Sequence, residues 1–268
     1  MRAAAGLACL ALLAGCAPSK EPRATSALQF SPDLAEDFGS LPRVTGETPQ
    51  ARAINAALDR VDARDRENRA SCLEMKSRND NVEWGRTVEA PMTGPRLVSI
   101  VMTRGDYCGG AHPSWDRTAL VFDLETGRLV DWTAWLPSGM AKPIRHESSD
   151  QWVRPGALDS PLLKAWFADR VLAGMDEYGR RECADFYSES RRDSWGLTAW
   201  PNAKAGGLTL QSAGLAHAEM GCHADVLMPL RELKRRGVAP ELVDAIEAGH
   251  RARLWRDGPP EPEEAVRR

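Results

Sequence analysis

Leu97-Val98-Ser99-Ile100-Val101-Met102 is apolar at all but one position, and Val121-Phe122-Asp123-Leu124-Glu125-Thr126-Gly127-Arg128 runs from an apolar segment into a turn. The first stretch reads as a strand covered on both faces, because nearly continuous apolar character leaves no side for water. The second reads as a strand entering a hairpin, Gly127 supplying the positive φ that its turn requires. Working outward, segments rich in Val, Ile, Leu, Thr and Trp predict strands over 82–88, 96–103, 118–124 and 128–132. Further strands are expected over 195–200, 207–211 and 225–228. Hairpin connections of this kind make an antiparallel sheet.

Helices flank these strands. Thr48-Pro49 is a helix start, and Ile54, Ala57, Leu58 and Val61 form one apolar stripe, which predicts a helix over 49–69. Ser160-Pro161 opens a second, with Leu163, Trp166, Phe167, Val171 and Met175 facing one way, and Pro240 opens a third carrying Leu242, Val243, Ile246 and Leu254. Strands and helices in clusters, without βαβ alternation, point to an α+β fold with helices packed on an antiparallel sheet.

The N-terminus reads as an export signal. Arg2 precedes an apolar run over 3–14, too short for a hydrocarbon core that takes about 20 helical residues. The run ends in Leu13-Ala14-Gly15-Cys16, which looks like the lipobox of bacterial lipoproteins. That resemblance implies cleavage of residues 1–15 and lipid on Cys16, with two or more acyl chains making a durable membrane anchor. Residues 16–37 are then expected as a lipidated flexible tether, 38–256 as the folded domain and 257–268, with three prolines and clustered charge, as a disordered tail. Ala17 after the cysteine resembles the outer-membrane sorting pattern, so the expected location is a bacterial envelope, facing the periplasm.

Setting aside Cys9 and Cys16 leaves Cys72, Cys108, Cys183 and Cys222. An even remainder in an oxidising compartment favours two disulfides, although four cysteines allow three connectivities. The expected pairing is Cys72 with Cys108 and Cys183 with Cys222, each closing a loop within its own half. With 35 basic and 38 acidic residues the net charge is −3, which argues against nucleic acid as a partner.

Tyr107-Cys108-Gly109-Gly110-Ala111-His112-Pro113, followed by Asp123-Leu124-Glu125-Thr126-Gly127 and Val130-Asp131-Trp132, carries a resemblance. It resembles the exported domain of RsiV-type anti-sigma factors, also found beside the catalytic domain of PdaC-type peptidoglycan deacetylases, where Gly-Gly-Ala-His precedes a strand ending in an Asp-x-x-Thr-Gly hairpin. The likeness extends weakly over about 38–236. It implies an extracytoplasmic α+β domain without established catalysis, one branch of which binds lysozyme. The chain departs from that branch in having a lipobox where RsiV has a membrane span, so sigma-factor control does not carry over. It also lacks the deacetylase domain.

Candidate binding residues are Tyr107, His112 and Trp115 from this stretch, with His217 and His223 further on. The three histidines could in principle hold zinc, but spacing alone is poor evidence and the His-x-x-x-His pair with an intervening Glu is absent, so no metal or cofactor is expected. Nine tryptophans offer platforms for sugars or proteins: Trp115, Trp152 and Trp195 read as surface, and Trp84, Trp132, Trp166 and Trp200 as core. Arg231 to Arg236, with four basic residues, reads as a solvated helix face. The reading is an envelope lipoprotein with a binding or sensing domain for lysozyme or peptidoglycan. Alternatives are a hydrolase of peptidoglycan or esters with His112 in its site, and a structural partner of an envelope assembly.

Overall fold

The computed structural model describes residues 25–77, 81–142, 157–213 and 217–257. Cys16, residues 1–15 read as a signal, Trp152 and residues 258–268 of the expected tail lie outside them. In chain order the elements are β1 (Leu28–Gln29), β2 (Arg43–Val44), α1 (Pro49–Glu74), β3 (Glu83–Thr93), β4 (Leu97–Tyr107), β5 (Ser114–Asp123), β6 (Arg128–Leu129), α2 (Trp132–Trp135), β7 (Ala157–Leu158), α3 (Pro161–Gly174), α4 (Glu177–Cys183), β8 (Gly196–Asn202), β9 (Gly207–Ala213), β10 (Asp225–Pro229), α5 (Leu230–Arg235) and α6 (Pro240–Ala252). The fold is α+β and wholly antiparallel in its strand ladders. Among the described residues no helix is long and apolar enough to cross a membrane.

Strands β3 to β10 form two four-stranded sheets, ordered β3-β4-β5-β6 and β10-β9-β8-β7, where the sequence suggested one, and β1 pairs with β2 in a separate two-stranded ribbon. The period of two explains how β4 serves both sides of its sheet. Val98, Ile100 and Met102 pack with Leu120 and Phe122 against Ile54, Leu58 and Val61 of α1. Leu97 and Val101 face the other way, into a core shared with Leu197, Ala199, Leu208 and Leu210 of the second sheet and with Leu163 and Phe167 of α3. Ser99, polar yet buried, donates from Oγ to the Pro201 carbonyl at 2.8 Å, tying the sheets together.

The local signals act as expected at most element ends. Thr48 and Ser160 cap α1 and α3 through their hydroxyls, each followed by proline. Gly127, at φ +72°, turns β5 into β6. Elsewhere the structure differs. The strand expected to end at 88 continues through Pro91, which an edge strand with a register shift between Glu89 and Met92 tolerates. The strand expected to reach 132 stops at Leu129, because Asp131 accepts from the Thr133 amide and starts α2. Helix α6 ends at Ala252, left-handed Arg253 closing it before Leu254. The chain is already packed at Leu28, paired with Val44, inside the stretch read as tether from its composition.

Both disulfides are those expected: Cys72–Cys108, with Cα atoms 5.0 Å apart, and Cys183–Cys222 at 5.5 Å. The first pins the C-terminal part of α1 to the β4–β5 connection. The second joins α4 to the short 3-10 turn His217–Cys222.

Candidate functional site

The apolar stripe of α1 does not end at Val61. Asp62 and Asp65, next on the same face, are both 2 % exposed. What makes two buried acids tolerable is Arg86, on the inward side of β3 with its side chain fully out of water. Its Nη1 donates to Asp65 Oδ2 and its Nη2 to Asp62 Oδ1, each at 2.7 Å, while Nε and Nη2 reach the Gly39 carbonyl. The Phe38 ring lies 4.5 Å under the guanidinium carbon. Arg43 takes the other oxygen of Asp62 at 2.8 Å from the solvent side. Arg104, on the neighbouring strand, takes the other oxygen of Asp65 at 2.9 Å.

Arg104 brings this network to a cleft. Its Nη1 stands 3.4 Å from both Asp116 Oδ1 and the Thr118 hydroxyl, and its Nη2 donates to the buried Met102 sulfur at 3.5 Å. The cleft, of about 660 Å³, opens between the C-terminal half of α1, which contributes Arg64, Asp65, Asn68 and Ser71, and the ends of β3, β4 and β5. Trp84, Asp106, Ser114 and Asp116 line it from the sheet, and the Cys72–Cys108 disulfide closes one wall. Asp106 accepts from the Ser114 hydroxyl at 2.9 Å. Carboxylates committed in this way to guanidinium and hydroxyl partners set fixed, directed polar groups into a cleft whose accessible lining is otherwise mostly carbon, a combination suited to ligand recognition.

Trp115 borders this cleft, but as the residue between Ser114 and Asp116 it alternates to the other face of the sheet. There it meets His223 edge to face, ring centroids 4.4 Å apart. Arg117, two residues on, pairs with Glu89 and with Asp225, and Asp225 also accepts from Gln211. Burial lowers the pKa of His223 below the ordinary histidine value; Asp225 pulls it back up and Arg117 lowers it further.

Of the residues expected from sequence, the structure brings Trp115 and His223 together. Tyr107 ends β4 and lines a separate depression of about 630 Å³ with Lys76, Glu83 and Pro113. His112 is exposed in the β4–β5 connection, its Nδ1 3.3 Å from the Pro113 carbonyl. His217 opens the 3-10 turn, and its side chain lies outside the described residues. Among the described residues no group of three or more His, Cys, Asp or Glu could hold a metal. Trp115 is 38 % exposed, but Trp195 is a correction: it is 3 % exposed, packed among Phe167, Phe186 and Tyr187, because the polar residues before it turn outward in a 3-10 helix.

Sequence reasoning missed Arg104, Asp65, Asn68 and Asp116. Asp62 and Asp65 continuing an apolar stripe was the legible signal, since acids in that position need buried cations. The cations themselves, inward on strands β3 and β4, had none. No protein-family model matches the chain, and no curated protein matches it.

Proposed function

We propose that the chain is a binding protein of the bacterial cell envelope, held at the membrane by lipid on Cys16, whose α1–sheet cleft takes a polar envelope ligand, with peptidoglycan first and lysozyme second. The observation that carries the reading is the cleft itself, with Arg104 in its lining, held by Asp65 on one side and by Asp116 and Thr118 on the other. Arginine, asparagine, serine and aspartate around one concavity suit amide-, hydroxyl- and carboxylate-bearing strands such as peptidoglycan. The lipobox, the paired cysteines and the RsiV-like motif support the compartment and the class. Lysozyme is the ligand that the resemblance suggests.

The test is retention of the Cys16→Ser chain on purified peptidoglycan sacculi and on immobilised lysozyme. Asn68→Ala and Ser71→Ala, both exposed and outside the buried ion network, are the site variants. Retention on sacculi that falls about tenfold in the double variant, with unfolding unchanged, is the expected result. Retention by neither material removes both ligands.

A further inference from the structure

We infer that the end of the domain opposite the cleft is a membrane-facing collar that docks on anionic phospholipid; the inference rests on the lipid-anchored reading for its proximity to the bilayer. The place where the chain enters the fold and the place where basic residues gather coincide. The Ala27 amide donates to the Thr93 carbonyl at 2.8 Å, at the far end of β3. A side chain at Gly94 would meet the Thr25 carbonyl at 3.6 Å, so residues 25–27 lie against the β3–β4 turn.

The last turn of α6 and its exit lie against that same turn. A side chain at Gly249 would come within 3.0 Å of the Gly94 carbonyl. The Thr93 amide donates to the Leu254 carbonyl, and Ala90 and Arg256 exchange backbone hydrogen bonds. This segment reads His250-Arg251-Ala252-Arg253-Leu254-Trp255-Arg256, with Arg251, Arg253 and Arg256 exposed. Lys204, in the β8–β9 turn beside it, pairs with Asp257 at 2.7 Å. Aromatic groups are interleaved: Arg256 lies 4.1 Å over the Phe30 ring, and Trp255, half-buried, stacks on His250.

Three exposed arginines with a tryptophan and a phenylalanine are the chemistry of a membrane interface, cations for anionic headgroups and amphipathic rings at their depth. From Cys16 to Ala27 the chain spans at most about 40 Å. A lipid on Cys16 therefore holds the collar at high effective concentration near the bilayer, where a weak contact suffices.

The experiment uses the mature chain, residues 16–268 with Cys16→Ser so that neither signal nor lipid is present, sedimented with vesicles of phosphatidylglycerol and phosphatidylethanolamine or of phosphatidylethanolamine and phosphatidylcholine. Binding to the phosphatidylglycerol vesicles alone, weakened by salt and at least tenfold weaker in Arg251→Gln/Arg253→Asn, is expected; asparagine keeps the left-handed conformation at 253 accessible. Binding that is absent, indifferent to phosphatidylglycerol or unchanged in the variant overturns the collar. The mass of the wild-type N-terminal fragment extracted from cell membranes tests lipidation separately, so the anchor and the collar fail by different results.

Discussion

Arg86 is surrounded by two carboxylates, a carbonyl and an aromatic face, and each of its partners is itself buried or half-buried. Removing one member of such a set costs far more than the set contributes as a whole, because charges are left without partners in a low-dielectric interior. Arg86→Met should therefore destabilise the fold by about 3–5 kcal/mol in urea unfolding, and combining it with Asp62→Asn and Asp65→Asn should recover part of that loss. If the triple change were as costly as the single one, packing rather than uncompensated charge would be the cause. His223 gives a second prediction at this scale. Its folded pKa lies below the ordinary value near 6.5, so between the two values the unfolded chain binds the proton first, and stability rises with pH across that interval. An NMR titration of the His223 ring should show a midpoint below that of a free histidine, and His223→Gln should flatten the dependence of stability on pH over the same interval. A midpoint at the ordinary value would mean that the ring beside Trp115 is solvated.

At the scale of elements, α1 is the most instructive, because its sequence announces its start, its stripe and its disulfide-pinned end, yet what the stripe meets is decided by distant strands. The helix starts at Thr48 and Pro49 were legible because caps are local chemistry, and the turn at Gly127 because a positive φ selects glycine. The division into two sheets was not, since alternation says that a strand has two faces and not what covers each. Of the cleft, sequence reading reached its disulfide and Trp115 and passed over the one other legible signal, the acids that continue the α1 stripe; the rest of its lining is assembled from α1 and three strands whose proximity no local pattern encodes. The Gly127 turn also packs tightly: a side chain there would fall 2.8 Å from the Gln50 Cα at the start of α1. Gly127→Ala should thus cost about 1–3 kcal/mol through overpacking, with the positive φ adding to it, and should lower the thermal midpoint without changing the cleft. In α4, replacing Cys183 and Cys222 together by alanine should remove about 2–4 kcal/mol, checked by unfolding with the other bridge intact.

For the whole molecule, the length of β3 sets the layout. Trp84 stands at the cleft and Thr93 at the chain entry, so the strand separates the two ends by roughly 30 Å at about 3.3 Å per residue. Because β4 pairs with β3 along nearly this whole length, the separation belongs to a continuous ladder and does not depend on a loop. On the proposed anchoring, with the tether and the arginines both at the Thr93 end, the cleft would be held on the side away from the bilayer, where a glycan network or a periplasmic protein would meet it. The orientation has a direct readout. A fluorophore at Ala205, exposed in the β8–β9 turn beside the collar, and one at Asn68, exposed at the cleft, can each be followed on vesicles that contain a headgroup quencher. The lipidated chain should show strong quenching at 205 and little at 68, with the difference reduced in high salt as the collar lifts and the domain swings on its tether. Equal quenching at both positions in low salt would mean that the domain lies along the membrane, which would bring the cleft to the lipid surface and point to a ligand found there instead.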